Sequence, residues 1–370
     1  MKISNFKLER FFAKYEFAVE YLLCSSDCES LPIDELFSME PDASNKFNKF
    51  HLGYTESKGN PTLRYEISKI YNSIESNQIL VHSGAQEAIF LFMHAMLNRE
   101  DHVIIHHPCY QSLIEVPRNI GCQISHWPAK EKDGWSLSIN ELEAMIQPNT
   151  KVIVVNIPHN PTGYLMDQDD FIKLNQISKE NDIILFSDEV YRESEYSIED
   201  QLPAVCDIND NSVSLGVMSK SYGLAGLRIG WIATKNPNIY SKMMVLKDYT
   251  TICNSGPSEF LAELALRNRL MILKRNKKII KNNLAILNHF FEHHLDKFVW
   301  KRPKAGPIAF PRLIENDVEQ FCIDVLEKTD VLLLPGTVYD DNGNHFRIGF
   351  GRRNMPMAVE RLDNYLSTIF

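Results

Sequence analysis

No stretch of the 370-residue chain approaches the ~20 consecutive apolar residues of a membrane-crossing helix, and no long apolar run of the signal-peptide kind stands near its start. A disulfide framework is missing as well. The seven cysteines, at positions 24, 28, 109, 122, 206, 253 and 322, are odd in number and widely scattered, unlike the paired pattern of a small secreted domain. Cys24 and Cys28 lie four apart, but no second Cys/His pair nearby completes a zinc site, so no metal is expected. All seven are expected to be reduced and mostly buried, and the chain to reside in the cytoplasm. Excess positive charge is lacking too: 39 Lys and Arg against 48 Asp and Glu leave a net charge of −9. That balance argues against nucleic acid or an anionic membrane as partner. The basic run Arg275-Asn276-Lys277-Lys278 reads as the solvated face of a helix. No repeat, low-complexity tract or Gly/Ser linker divides the chain.

What is present is an ordinary globular composition, 44% hydrophobic and 24% charged, at a length that exceeds one core and suggests two domains. Between residues 80 and 235 short apolar runs alternate with amphipathic segments. Ile79–Val81, Val103–His106, Ile124–Trp127, Val152–Ile157, Ile183–Ser187, Val213–Val217 and Ile229–Ala233 read as buried strands, with helices such as Glu87–Leu97, Ile139–Ile146 and Asp169–Glu180 between them. This alternation implies an α/β fold, a three-layer sandwich whose seven-stranded, mostly parallel sheet is covered on both faces. Pro257–His294 reads as one long helix. A helix at Asp317–Lys328, an apolar run Val331–Leu334, a strand His345–Phe350 and a closing helix Pro356–Ile369 follow. The expected division is a large domain over 40–270 and a smaller α+β domain built from both termini, 1–39 and 271–370.

In such sheets ligands sit outside the carboxyl ends of the strands, and polar residues collect there. Asn160 follows a strand within Pro-His-Asn-Pro-Thr-Gly, whose prolines stiffen the turn. Asp188 ends another, with Tyr191 three residues on. Lys220 ends Val-Ser-Leu-Gly-Val-Met-Ser, and Arg228 follows eight residues later. Ser83-Gly84-Ala85-Gln86 precedes a helix whose first N–H groups can bind an anion.

The ordered set HNPTG, SDEVY, SKSYGLAGLRIGW and FRIGF resembles the fold-type I, class I/II aminotransferases that use pyridoxal 5'-phosphate, and the likeness runs from about Tyr54 to Arg347. It implies transfer of an amino group from an amino acid to a 2-oxo acid, with Lys220 holding the cofactor as a Schiff base and then moving the α-proton. Asp188 would keep the pyridine nitrogen protonated; Asn160 and Tyr191 would hydrogen-bond the ring's 3-oxygen. Tyr110 would stack on the ring. Gly84, Ala85, Gln86, Ser219 and Arg228 would hold the phosphate, joined by Tyr54 from a partner subunit, so that a homodimer shares its active sites. Arg347 would grip the substrate α-carboxylate as a bidentate fork, whereas Arg352 and Arg353 read as surface charges. His82, His106, His107 and His159 read as structural.

The chain departs from the family pattern in two places. Val217 stands where a phosphate-binding serine often lies, three positions before the lysine. Residues 23–32, Leu-Cys-Ser-Ser-Asp-Cys-Glu-Ser-Leu-Pro, replace the usual Gly-Glu-Pro-Asp-like turn over the substrate, and resemble the cyclases that make arginine-derived ring amino acids. An alternative outcome at the same lysine is therefore lyase or cyclase chemistry.

Overall fold

The computed structural model describes residues 3–369. Its central sheet contains β1 (Ile79–His82), β2 (His102–His107), β3 (Gln123–Pro128), β4 (Thr150–Asn156), β5 (Ile184–Asp188), β6 (Ser212–Val217) and β7 (Gly230–Ala233). The strands lie in the order β1-β7-β6-β5-β4-β2-β3. From β6 to β3 every neighbour is parallel, and β7 alone opposes both of its neighbours. The expected α/β sandwich is borne out, with strand limits that differ by a residue or two.

Successive strand residues point to opposite faces of a sheet, and here each face is covered. Val103, Ile105, Val152, Val154, Ile184 and Phe186 pack into one hydrophobic layer, while Ile104, Ile153, Val155 and Leu185 pack into the other. Burial on both sides is why these strands read as unbroken apolar runs rather than as alternating ones. Each fully buried Val, Ile or Phe contributes about 1.5–3 kcal/mol.

One element differs from expectation. Residues 256–293 form two helices, Gly256–Arg267 and Arg269–His293, rather than one from Pro257 to His294. Asn268 breaks them: its side-chain amide bonds back to Leu264 O at 2.9 Å and to Glu40 Oε1 at 3.0 Å. Such local bonding competes with the helical ladder. The apolar run Val331–Leu334 is a strand only from Leu334 to Pro335, because Val331 instead bridges Tyr21 of the N-terminal segment.

Leu334–Pro335, Phe346–Gly349 and Ile308–Ala309 form a three-stranded antiparallel sheet. Tyr21 and Leu23 share one core with Leu284, Phe291, Phe346 and Leu362, so both ends of the chain pack together. The basic run is not a free solvated face. Arg275 Nη1 donates to Glu29 O at 2.7 Å and Nη2 to Ser30 O at 3.1 Å, and buried Asn276 donates to Ser221 O at 2.9 Å. The long helix thereby ties the N-terminal segment to the lysine loop. All seven cysteines are free thiols, six of them buried.

Candidate active site

Sheet register brings the polar residues to one edge. His82, Gly230 and Val217 share a rung across β1, β7 and β6, and Asn156 pairs with Asp188 across β4 and β5. Because β7 runs backwards, its beginning meets the ends of its neighbours. The turns after β1 and β6 and the turn before β7 therefore converge, carrying Ser83–Gln86, Lys220 and Arg228.

A cavity of about 380 Å³ opens at this edge. Of the residues singled out in the sequence, Lys220, Asp188, Tyr191, Asn160, Arg228 and Arg347 line it, and so do Ala85, Gln86, Tyr110 and Ser219. Gly84 stands just behind, with φ of +84°; a Cβ there would fall 2.7 Å from the Arg228 guanidinium. Only glycine holds that backbone and lets the arginine reach the start of helix Ala85–Met96. Tyr54 lies outside the cavity and is 93% exposed.

Lys220 is half-buried, and its Nζ donates to Ser26 Oγ at 2.8 Å. Burial pulls its pKa below the usual lysine value, against the opposing pull of Asp27. Asp188 shows the complementary effect: burial raises its carboxyl to about 7, although the Val190 N–H at 3.2 Å and the Lys220 charge act the other way. Both shifts favour neutral forms, the state in which an amine can attack or accept a proton. Tyr191 donates its hydroxyl to Ser26 O at 3.0 Å, and burial raises its pKa. Tyr110, raised chiefly by burial and next by Glu9, donates to Glu9 Oε1 at 3.2 Å.

Arg347 is fully buried. Its Nε and Nη2 donate to Cys24 O at 3.0 and 2.8 Å, and its Nη1 to Asn160 Oδ1 at 3.1 Å and to the Tyr339 hydroxyl. The Phe12 ring centroid lies 5.8 Å from the guanidinium. Among the described residues no carboxylate pairs with it, so a buried cation faces the cavity without a counter-ion. Asn160 is held by its own N–H, which donates to Asn156 Oδ1 at 2.7 Å, and Asn156 Nδ2 donates to Asp188 O at 2.8 Å. Two strand ends are thus locked together under the cavity.

Several lining residues escaped the sequence reading. Leu8, Glu9, Phe12 and Glu16 come from helix Lys7–Tyr15 and its end, and Ser25, Ser26 and Asp27 from the segment that follows. The spacing 8, 12, 16 was a visible sign of one helical face; Asn156, last of an apolar strand, was equally visible. The FRIGF glycine has a clear cause, since a Cβ on Gly349 would fall 2.0 Å from Ser25 O. Arg352 is not a surface charge: Nη2 donates to both Asp27 oxygens at 2.9 Å and braces the same segment. Arg353 is exposed. Val217 lines the cavity and offers no hydroxyl. His106 and His159 stack at 3.7 Å, and burial lowers His159 to about 3, leaving a neutral ring between Thr162 and Pro108 O.

Over residues 20–362 the sequence matches the family described as aminotransferase class I and II. The chain belongs to that family. This aminotransferase is 28% identical to the aspartate aminotransferase of Sulfurisphaera tokodaii, over 88% of this chain and 86% of that protein. It is 26% identical to the capreomycidine synthase of Streptomyces vinaceus, over 98% and 93%. A solved structure of a PLP-dependent aminotransferase from Streptococcus suis 89-1591 superposes with a TM-score of 0.94 at 31% identity, covering 100% of this chain and 99% of that one. The PLP-dependent cyclase OrfR superposes with a TM-score of 0.90 at 26% identity, covering 100% and 98%. The chain is a transaminase that moves an amino group from an amino acid to a 2-oxo acid, and its cofactor is pyridoxal 5'-phosphate. The cavity fits that group. It offers a half-buried amine, a buried carboxyl, a guanidinium beside a helix start, and a buried Gln86 Oε1 without a hydrogen-bond partner. No helix among the described residues is long and apolar enough to cross a membrane.

Proposed function

We propose that Lys220 is the covalent anchor of the cofactor and the group that carries the substrate α-proton. Asp188 faces the ring nitrogen, Asn160 and Tyr191 hydrogen-bond the ring's 3-oxygen, and Tyr110 covers the ring. The phosphate is held by Gly84, Ala85 and Gln86 at the helix start, by Ser219 and by Arg228. Arg347 binds the substrate α-carboxylate, with Asn160 against the same carboxylate. The observation that carries this reading is the shared cavity, lined by a half-buried lysine, a buried aspartate and a buried guanidinium without a counter-ion.

Pyridoxal phosphate, when bound, supplies a protonated ring that takes up the electron pair left when the substrate Cα–H bond breaks. The protein's part is orientation and proton transfer. The remaining Arg347 N–H and the Asn160 amide together orient the carboxylate, and the neutral Lys220 amine accepts the α-proton at Nζ. Ser26 Oγ, an acceptor 2.8 Å from Nζ, keeps the amine aimed inward between transfers.

A homodimer completes the site in this reading, with Tyr54 reaching the partner's phosphate group. Leu52, Tyr54, Tyr249 and Ile252 are exposed apolar residues, and Thr55 Oγ1 bonds Asn254 O at 3.1 Å, drawing their two loops together. Such a patch suits a protein partner. The domain limits proposed are 40–270 for the large unit and 1–39 with 271–370 for the small one. The free thiols favour a reducing cytoplasm.

Addition of amino acids to the yellow holoenzyme tests the reading. Loss of the yellow absorbance with release of a 2-oxo acid supports transfer. Persistent colour with release of ammonia or a ring product supports the lyase or cyclase alternative, which the Ser25-Ser26-Asp27 lining and the whole-length likeness to OrfR favour.

A further inference from the structure

The cavity carries more negative charge than its proposed cofactor site uses. Glu9, Glu16, Asp27 and Asp188 line it together with Lys220, Arg228 and Arg347. Each of the three cations has an assignment above, as does Asp188, and Asp27 is held by Arg352. Glu9 and Glu16 remain. Among the described residues neither forms an ion pair; Glu9 accepts a hydrogen bond from the Tyr110 hydroxyl and the Glu16 carboxylate accepts none.

Local geometry makes the pair a unit. Glu16 closes helix Lys7–Tyr15 in αR conformation, so Glu9 and Glu16 lie two turns apart on one stripe, separated by about 10 Å of helix rise. Phe12 stands between them and also lines the cavity. Burial raises the Glu16 pKa, and the Asp27 and Glu9 charges raise it further against the smaller opposing pull of Arg352 and Lys220. A bound cation relieves that repulsion, and an aromatic face beside two carboxylates suits a cationic group on an apolar stem. The counter-ion-free Arg347, fully buried on the same cavity, points independently to a ligand that also carries a carboxylate.

We propose that the amino donor has a cationic side chain, an ammonium or guanidinium on a flexible stem, held by Glu9 and Glu16 while Arg347 holds its α-carboxylate. The proposal rests on the Lys220 and Arg347 roles given above. It separates this chain from relatives named for aspartate, because no cation lining the cavity is left for a side-chain carboxylate. Specificity is a difference of affinities, so matched donors decide it.

L-Arginine and L-citrulline share a shape and differ in charge, while L-norleucine keeps the carbon chain of L-lysine and lacks its ammonium. On the holoenzyme, each cationic donor is expected to bind at least about tenfold tighter than its neutral partner, by calorimetry and by the KM of the colour change, the scale of a charge-assisted bond. In Glu9→Gln and Glu16→Gln each ratio falls, and in the double variant it comes within about threefold of unity. L-Aspartate or L-citrulline preferred over L-arginine, with L-norleucine preferred over L-lysine, overturns the proposal and leaves the Lys220 reading intact. Ratios unchanged in both variants overturn it as well. No response to any amino acid overturns both readings together.

Discussion

Replacement of Arg347 by alanine probes the substrate half of the site most directly. The side chain is fully buried and makes four hydrogen bonds, none to an anion. Truncating one member of a buried charge pair costs about 2–5 kcal/mol. Water can enter the gap from the open cavity and solvate the substrate carboxylate, which places the expected loss near the middle, at about 3 kcal/mol. At about 1.4 kcal/mol per tenfold, donor KM rises on the order of 100-fold. The same change strips Cys24 O of its donor, while Asn160 Oδ1 keeps the Tyr339 hydroxyl at 3.0 Å, and an unsatisfied buried group costs about 1–3 kcal/mol. Thermal midpoints must therefore be followed alongside the kinetics. A matched pair separates the two effects: the best amino donor and the amine that lacks its α-carboxylate. The native enzyme discriminates strongly between them, and Arg347→Ala loses that discrimination even where it is fully folded. Arg347→Lys retains part of it, since an ammonium keeps the charge but not the fork. A folded Arg347→Ala protein that still prefers the amino acid as strongly as the native enzyme would remove Arg347 from the carboxylate role.

Borohydride treatment of the holoenzyme is expected to fix the cofactor on the peptide containing Lys220, read by mass spectrometry, and a label on another lysine refutes the anchor. Asp188 bears on stability in the cofactor-free protein. Its folded pKa of about 7 lies above the ordinary 3.8, so its contribution is fully present below pH 4 and is lost as pH rises through 7, a swing of up to about 4 kcal/mol. Asp188→Asn should remove that part of the pH dependence in denaturation curves; an identical profile refutes the burial argument. Ser26→Ala removes the acceptor of the Lys220 amine, which lowers the lysine pKa further and reduces kcat about five- to tenfold, the scale of about 1 kcal/mol. The acylation rate of Lys220 against pH in the cofactor-free protein checks this, and an unmoved profile rules out the positioning role. Tyr54→Ala and Lys220→Ala subunits, each inactive alone, should regain activity when mixed if active sites are shared across a dimer; no recovery in a proven hybrid refutes the sharing.

How much of this could be read from the sequence depended on how local each signal was. Strands covered on both faces announced themselves as continuous apolar runs, because both of their faces lie in hydrophobic layers. Lys220, Asp188 and Asn160 were readable because each directly follows or ends such a run, and strand order does the rest. Arg352 and the run at Arg275 were misread for the opposite reason. Their partners, Asp27, Glu29 and Ser30, lie more than two hundred residues away, and charged residues without a local partner look like surface.

The N-terminal residues are the sharpest case. Helix Lys7–Tyr15 has no side-chain cap, and its lining face mixes Leu8, Glu9, Phe12 and Glu16, which taken alone is a nondescript amphipathic stripe. The segment becomes part of the site through contacts from the far end of the chain. Arg347 holds Cys24 O, Gly349 takes Leu23 O at 2.9 Å, and Arg352 holds Asp27. The first two bonds end on backbone carbonyls that every sequence possesses; only Asp27 is a telling residue type there, and its partner lies 325 residues away. What the sequence did show there was a departure from the family's turn. The cofactor site and the departure are therefore coupled: the same arginine that faces the cavity also fixes the segment that carries Ser26 to the lysine. A change in segment 23–27 should consequently alter Lys220 and Arg347 together, whereas changes at Glu9 or Glu16 should act chiefly on donor choice.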